Sequence, residues 1–310
     1  MNFLLIISGL VLLILGGNWL LKSAVALSLK LNISKVVIGM TVVSFATSAP
    51  ELIVSINAAL NGSSDLALGN VIGSNIANLG LVLGITLLFG NMSVKKSFAK
   101  LDWPVMMIAS AILFLFLSQD KVIVQYEGII LFSFLIIFLV YLLRSQKNEI
   151  PDEVNENDIH LGGFKISAFL ILGGLGLWGG SELLIKGARA LATDFGVTER
   201  IIGVTIVSIG TSVPELAASI IAVIKKEKAI SLGNLIGSNI FNILAVLGIT
   251  SIITPISLSD ERLLSSDIFW MLGISFIILP LVFLPKKYNL GRKEGLLLLC
   301  SYCVFIYLTL

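Results

Sequence analysis

Residues 44–51 read Ser-Phe-Ala-Thr-Ser-Ala-Pro-Glu, and residues 208–215 read Ser-Ile-Gly-Thr-Ser-Val-Pro-Glu. Each stretch lies inside a long apolar segment and puts a carboxylate, Glu51 or Glu215, where the middle of a membrane-crossing helix would fall. An ionised side chain at that depth costs at least ~2.5–3.5 kcal/mol on insertion scales, so an intramembrane acid marks a functional site by default. Two such acids in matching contexts strengthen that reading.

The match extends far beyond the two octapeptides. A shift of 164 residues aligns the halves without a gap across both regions. Ile38-Gly39 meets Ile202-Gly203, Thr41 meets Thr205, and Pro50-Glu51-Leu52 meets Pro214-Glu215-Leu216. Further on, Leu68-Gly69-Asn70 meets Leu232-Gly233-Asn234, Gly73-Ser74-Asn75-Ile76 meets Gly237-Ser238-Asn239-Ile240, and Asn78 meets Asn242. An internal repeat of this length dictates the architecture.

The 310 residues are 56% hydrophobic and 13% charged, with mean hydropathy +1.01. Soluble domains carry roughly 25% charged residues, so the chain reads as an integral membrane protein. Ten apolar spans are expected, at 3–21, 36–60, 67–89, 103–118, 122–143, 165–186, 200–223, 230–254, 266–284 and 294–310. The first run is too long for a secretory signal and no positive charge precedes it. A polar linker at 144–163 separates a first half, 1–143, from a second, 164–310. It carries five acids without the ligand spacing of an EF-hand, and reads as solvated. Five spans per half is an odd number, so the halves cross the membrane in opposite directions. The predicted fold is therefore an all-α polytopic membrane protein of ten transmembrane helices in two inverted five-helix repeats, with any site at the repeat interface near the midplane. With the N-terminus outside, sixteen of the 21 Lys and Arg residues fall in inner loops. Positive charge accumulates on the cytoplasmic side, so both termini are expected outside and the linker in the cytoplasm.

Helical spacing gathers the polar residues into stripes. Ser44, Thr47, Ser48, Glu51 and Ser55 share one face of the second span, and Ser208, Thr211, Ser212, Glu215 and Ser219 repeat it in the seventh. Asn70, Ser74 and Asn78 line the third span, as Asn234, Ser238 and Asn242 do the eighth. Asn75 and Asn239 fall off these stripes and read as helix-packing residues. The stripes offer oxygen and no sulfur or imidazole, which suits hard cations, sodium and calcium among them. Pro50 and Pro214 deprive the carbonyls of Ala46 and Gly210 of their helical donors. Glycines 39, 69 and 73, with their mates 203, 233 and 237, are expected to permit close helix approach. Single Ser or Thr residues commonly glue helices; a duplicated stripe ending in a buried acid asks for more. Cys300 and Cys303 read as apolar filler in the last span. No basic patch with interleaved aromatics points to nucleic acid, and the Gly-Asn-x-x-Gly-Ser-Asn runs lack the lysine of a P-loop.

The paired motifs, Gly/Ala-Thr-Ser-x-Pro-Glu-Leu in one helix and Gly-Asn-x-x-Gly-Ser-Asn-Ile-x-Asn in the next, resemble the two alpha-repeats of the sodium/calcium exchanger family, in the cation/calcium exchanger superfamily. The resemblance covers both halves, and ten spans agree with its prokaryotic members. It implies four midmembrane ion sites, one for calcium and the others suited to sodium. Glu51 and Glu215 would be the shared carboxylates, with backbone oxygens of Thr47 and Thr211 completing the calcium site. Ser48, Ser212, Ser74 and Ser238 would serve sodium, with the carbonyls of Ser44 and Ser208, and Asn78 and Asn242 would flank the centre. Phe45-Ala46 and Ala49 stand where the second half has Ile209-Gly210 and Val213, a mild departure. Potassium-dependent relatives carry an aspartate at the position of Asn242, so this asparagine argues against potassium co-transport.

The function so implied is antiport by alternating access, with three Na+ inward per Ca2+ outward, across the cell (inner) membrane. The first and sixth spans, long and rich in glycine, are candidates for the moving group. Calcium, sodium and the bilayer would be the only partners, with no resident cofactor and no obligatory protein partner. A proton/calcium antiporter and a potassium-dependent exchanger are the alternatives. A channel fits the carboxylate pair and inverted repeat poorly. An intramembrane enzyme is disfavoured, because no span holds a histidine and no nucleophile–base pair or metal motif is present.

Overall fold

The structure, a computed structural model, describes residues 2–145, 161–196 and 208–309. Among these residues the chain forms helices α1 (Asn2–Leu31), α2 (Lys35–Leu60), α3 (Ser64–Phe89), α4 (Phe98–Asp120), α5 (Gln125–Ser145), α6 (Gly163–Asp194), α7 (Val213–Ile224), α8 (Lys228–Ile253), α9 (Leu263–Phe283) and α10 (Arg292–Thr309). Eight of them are long and apolar enough to cross a membrane; α7 is a shorter apolar helix, and α10 carries three charges in its first turn. Most of the expected 144–163 linker, and residues 200–207 of the expected seventh span, lie outside the described residues.

Two expected ends move. The first span, read as 3–21, continues as helix to Leu31, and the sixth, read as 165–186, continues to Asp194. Hydropathy ends a span at its first charges, but Lys22, Lys30 and Lys186 sit in regular helix, because a lysine stem lies along apolar surface while its ammonium reaches water.

Burial sorts the helices into a core and a flank. The most apolar window of α3 is 78% buried and that of α8 is 83% buried, against 33% for α1 and 28% for α6. Apolar residues all round α3 and α8 are thus explained by protein on every side. In α1 and α6 the residues Phe3, Ile7, Leu10, Ile14, Ile171 and Leu175 instead face outward. These two helices run along each other on a glycine seam. A side chain at Gly16 would bring its Cβ within 2.7 Å of the Leu177 backbone nitrogen, and one at Gly173 within 2.7 Å of Leu20 N. Such backbone proximity replaces the hydrophobic drive that helices lack inside lipid.

The inverted duplication is visible in matched contacts. Gly9 meets Gly180 as Gly173 meets Gly16, each pair being the other shifted by one repeat. Two short antiparallel ribbons repeat the relation: β1 (Met92–Ser93) pairs with β4 (Asn289–Leu290), and β2 (Val122–Ile123) pairs with β3 (Ile256–Ser257). Even the helix starts match. Glu127 Oε2 accepts the Val124 N–H at 3.0 Å and Glu294 Oε2 accepts the Gly291 N–H at 2.7 Å. These two buried acids are thereby occupied as caps, a glutamate answering an N–H three residues earlier.

A Gly16→Val chain should therefore lose its α1–α6 seam, at a cost of roughly 1–3 kcal/mol for the forced overpacking. Gly179 has no neighbouring atom within 4 Å among the described residues, so Gly179→Val serves as the control. Thermal unfolding of detergent-solubilised protein, followed by size-exclusion chromatography, should show a fall for the first variant and little change for the second.

Candidate cation site

Four helices and one short segment bring the predicted residues together: α2 and α3 from the first half, and residues 208–212, α7 and α8 from the second. Ser44, Thr47, Ser48, Glu51, Ser74, Asn78, Ser212, Glu215, Ser238 and Asn242 are all buried, at 4% exposure or less. Thr211 is half-buried. The Ser208 side chain lies outside the described positions.

The backbone around the site departs from regular α-helix in ways the sequence reading did not foresee. The segments Gly39–Val43, Asn78–Val82 and Asn242–Leu247 are π-helical. Each inserts a residue into the helical ladder, and such bulges frequently occur at functional positions. Asn78 and Asn242 each open one of these segments. Pro50 does not break its helix, which runs as α-helix from Ser44 to Leu60. Around Pro214 the chain does break: a single turn, Ser208–Gly210, is followed by Thr211 and Ser212 outside the helix, and α7 begins at Val213. The two halves share a sequence pattern but not a local conformation.

Hydrogen bonds around the site come in repeat-related pairs, within each half and across the interface. Thr47 Oγ1 and Ser238 Oγ lie 3.4 Å apart, and their repeat mates Thr211 Oγ1 and Ser74 Oγ lie 3.2 Å apart. Asn70 Nδ2 donates to Ser55 Oγ at 3.1 Å, as Asn234 Nδ2 does to Ser219 Oγ at 3.4 Å. Asn75 Nδ2 donates to the Asn239 carbonyl and Asn239 Nδ2 to the Asn75 carbonyl, both at 3.2 Å. Asn75 and Asn239 thus join α3 to α8, the packing role expected of residues off the stripe. Asn234 takes a larger part than its stripe position suggested. Its Oδ1 accepts from Thr47 Oγ1 at 3.2 Å and its carbonyl accepts from Ser44 Oγ at 2.9 Å. Gly237 makes the second contact possible, because a Cβ there would collide with the Ser44 hydroxyl. Its mate Gly73 has nothing within 4 Å among the described residues, and Gly69 makes only an ordinary contact with Leu263. On α8, Gly233 and Gly237 meet Val36 and Met40 of α2 closely; the repeat mates of those two α2 residues, Arg200 and Val204, lie outside the described residues. Gly203 lies outside the described residues.

The carboxylates are where the symmetry ends. Glu215 Oε1 accepts from Ser48 Oγ at 3.3 Å and from Ser238 Oγ at 3.4 Å. Glu215 Oε2, both oxygens of Glu51, Ser212 Oγ and the Oδ1 atoms of Asn78 and Asn242 have no hydrogen-bond partner among the described residues. A buried charge without partners is expensive. Neither glutamate has an ion-pair partner among the described residues. Two acids ringed by unpartnered neutral oxygens therefore form a donor set for a hard cation, which takes 6–8 oxygen ligands in the case of calcium.

A duplicated membrane bundle with oxygen donors converging on its middle has the architecture of a secondary cation transporter. The family described as sodium/calcium exchanger protein matches residues 1–144 and 165–310. This chain belongs to that family, whose members are exchangers, not enzymes. CaxA of Alkalimonas amylolytica is 37% identical over 310 residues, covering 98% of this chain and 97% of its own length. The sodium/calcium exchanger MaX1 of Methanosarcina acetivorans is 30% identical over 346 residues, covering 98% and 97%. Among solved structures, the sodium-calcium exchanger NCX_Mj soaked with Na+ and Ca2+ superposes with a TM-score of 0.83 at 27% identity, covering 99% of this chain and 97% of that one. The protein is a multi-pass membrane protein of cation/calcium exchange.

The reciprocal asparagines give a stability test. Asn75→Ala strands the Asn239 carbonyl contact and the Asn242 amide, which donates to Asn75 Oδ1 at 3.0 Å. Asn239→Ala removes one contact. At roughly 1–3 kcal/mol per stranded buried group, Asn75→Ala should lower the thermal midpoint more. The double variant should cost less than the sum, because each side chain bonds the other residue's backbone and the two sites are in contact.

Proposed function

We propose that this chain exchanges sodium for calcium by alternating access, three Na+ moving inward for each Ca2+ moved outward. The observation that carries the reading is the pair of buried carboxylates, three of whose four oxygens have no partner among the described residues. Glu51 and Glu215 bind both ions. Backbone oxygens of Thr47 and Thr211 complete the calcium site. The hydroxyls of Ser48, Ser212, Ser74 and Ser238, with the carbonyls of Ser44 and Ser208, hold sodium, and Asn78 and Asn242 flank the centre. The names of MaX1 and NCX_Mj support sodium as the coupling ion. No resident cofactor enters the cycle, and the two halves, 1–143 and 164–310, act as its two units around the 144–163 linker.

Coupling follows from charge. Two carboxylates balance one calcium ion, or several sodium ions spread over neighbouring oxygens. Without ions, two like charges in a low-dielectric site repel and are poorly solvated. The unloaded carrier is therefore slow to cross and the loaded one is quick, which makes exchange obligatory. Three sodium ions against one calcium move one net charge inward, worth about 2.3 kcal/mol per 100 mV.

The Lys and Arg distribution supports both termini outside, and loop contacts agree with the grouping of loops by side, which either orientation shares. Lys121, assigned outside, pairs with Glu261 of the loop before α9 at 2.6 Å. Lys35, assigned inside, pairs with Glu227 before α8 at 3.1 Å. Contacts thus join loops assigned to the same side. The proposed membrane is the cell (inner) membrane.

Proteoliposomes loaded with sodium should take up calcium, and those loaded with potassium or choline should not. Equal uptake under all three loads would remove sodium as the coupling ion, and uptake driven by a pH gradient alone would reassign the partner to protons. Glu51→Gln and Glu215→Gln should each abolish calcium uptake; activity surviving in both would remove the assigned site.

A further inference from the structure

Two departures between the repeats that look unrelated in sequence touch one another in the structure. The second half has Gly210 where the first has Ala46, and Ser181 where the first has Gly17. Ser181, on α6, is buried at 3% exposure, and its Oγ donates to the Gly210 carbonyl at 2.8 Å. That carbonyl is the one Pro214, four residues on, leaves without a helical N–H donor. Ile185, one turn along α6, packs so closely on Gly210 that a Cβ there would collide with its side chain. The first half offers no equivalent. Gly17 carries no hydroxyl and packs against Ile221, and the helix through Ala46 and Pro50 is unbroken.

We infer that Ser181 is a positioning residue of the exchange cycle: its hydroxyl holds the break before α7 and so sets the ion donors of the second half. The groups that break presents are the Ser208 carbonyl, Thr211 and Ser212, and the inference rests on the sodium role proposed for Ser208 and Ser212. Glu51 and Glu215 sit on helix beyond the reach of this bond, Glu215 in the first turn of α7. Ser181 also links the α1–α6 pair to the site, so a shift of that pair changes the conformation at residues 208–212. Ala46 has no such hydroxyl, so the two directions of the cycle are inequivalent despite the duplicated motif.

The test compares two half-saturation values in proteoliposomes: sodium for sodium-driven calcium movement, and calcium for calcium–calcium self-exchange without sodium. Ser181→Ala should raise the sodium value about fivefold, the effect of one lost hydrogen bond. The calcium value should rise less, within about twofold, since both carboxylates stay in place and Thr211 alone of the proposed calcium ligands lies in the break. Ser181→Thr, which keeps the hydroxyl, should restore the sodium value. A generally loosened protein would shift both values by the same factor, and that result, or no shift in either, overturns the inference. Wild-type uptake indifferent to sodium removes the proposed coupling and this inference with it. Sodium-coupled wild-type uptake beside an unaltered Ser181→Ala removes the inference alone.

Discussion

The rest of the structure answers to two carboxylates held where solvation is poor. Glu51 and Glu215 are fully buried, and hydrogen bonds from Ser48 and Ser238 reach only one of their four oxygens. In hydrocarbon such a pair is tolerated only if charge of the opposite sign is available to it. Hydroxyl and amide side chains on four helices, and three π-helical segments that bend those helices, place neutral oxygens around it. Two helices buried on all sides, α3 and α8, exclude lipid from the centre.

The same constraint explains the division of labour among helices. Those that bring oxygen to the centre cannot also face lipid, so α1 and α6 take the lipid-facing flank, joined by glycines rather than by polar side chains. Apolar helices have no hydrophobic reason to associate within a bilayer, and backbone-to-backbone packing supplies one. The flank touches the site through Ser181 on Gly210. That hydrogen bond is a direct link between a flank helix that carries no proposed ion ligand and the backbone beside the site.

Duplication gives the fold its symmetry, and the exchange cycle requires that symmetry to be broken. A transporter open to one side must have its halves in different conformations, even when their sequences match. The break at Thr211–Ser212 beside the continuous helix at Thr47–Ser48 is a difference between the halves at the level of the backbone. Because a repeat interface is two-state rather than continuously deformable, a small local bias is felt across the bundle.

Hydropathy and the 164-residue repeat made ten spans, inversion and the acid-tipped stripes legible, because a membrane imposes length on helices and a cost on every charge it contains. The glutamates, serines and threonines could be chosen from spacing alone, since helical periodicity is a local property. Other features stayed hidden because they depend on partners far along the chain. Asn75 and Asn239 meet only when α3 and α8 cross, and the need for glycine at 237 shows only once Ser44 of α2 closes upon it. Pro50 and Pro214 look alike in sequence, yet one sits in unbroken helix and the other follows a break. A proline removes one donor in either place; whether the freed carbonyl is left within a helix or taken by a hydroxyl such as that of Ser181 is decided by packing. The sequence by itself determined the membrane class, the duplication and which oxygens could face a cation. Only the tertiary structure decided how the two halves differ, because that depends on contacts, Ser181 with Gly210 among them, between segments far apart in the chain.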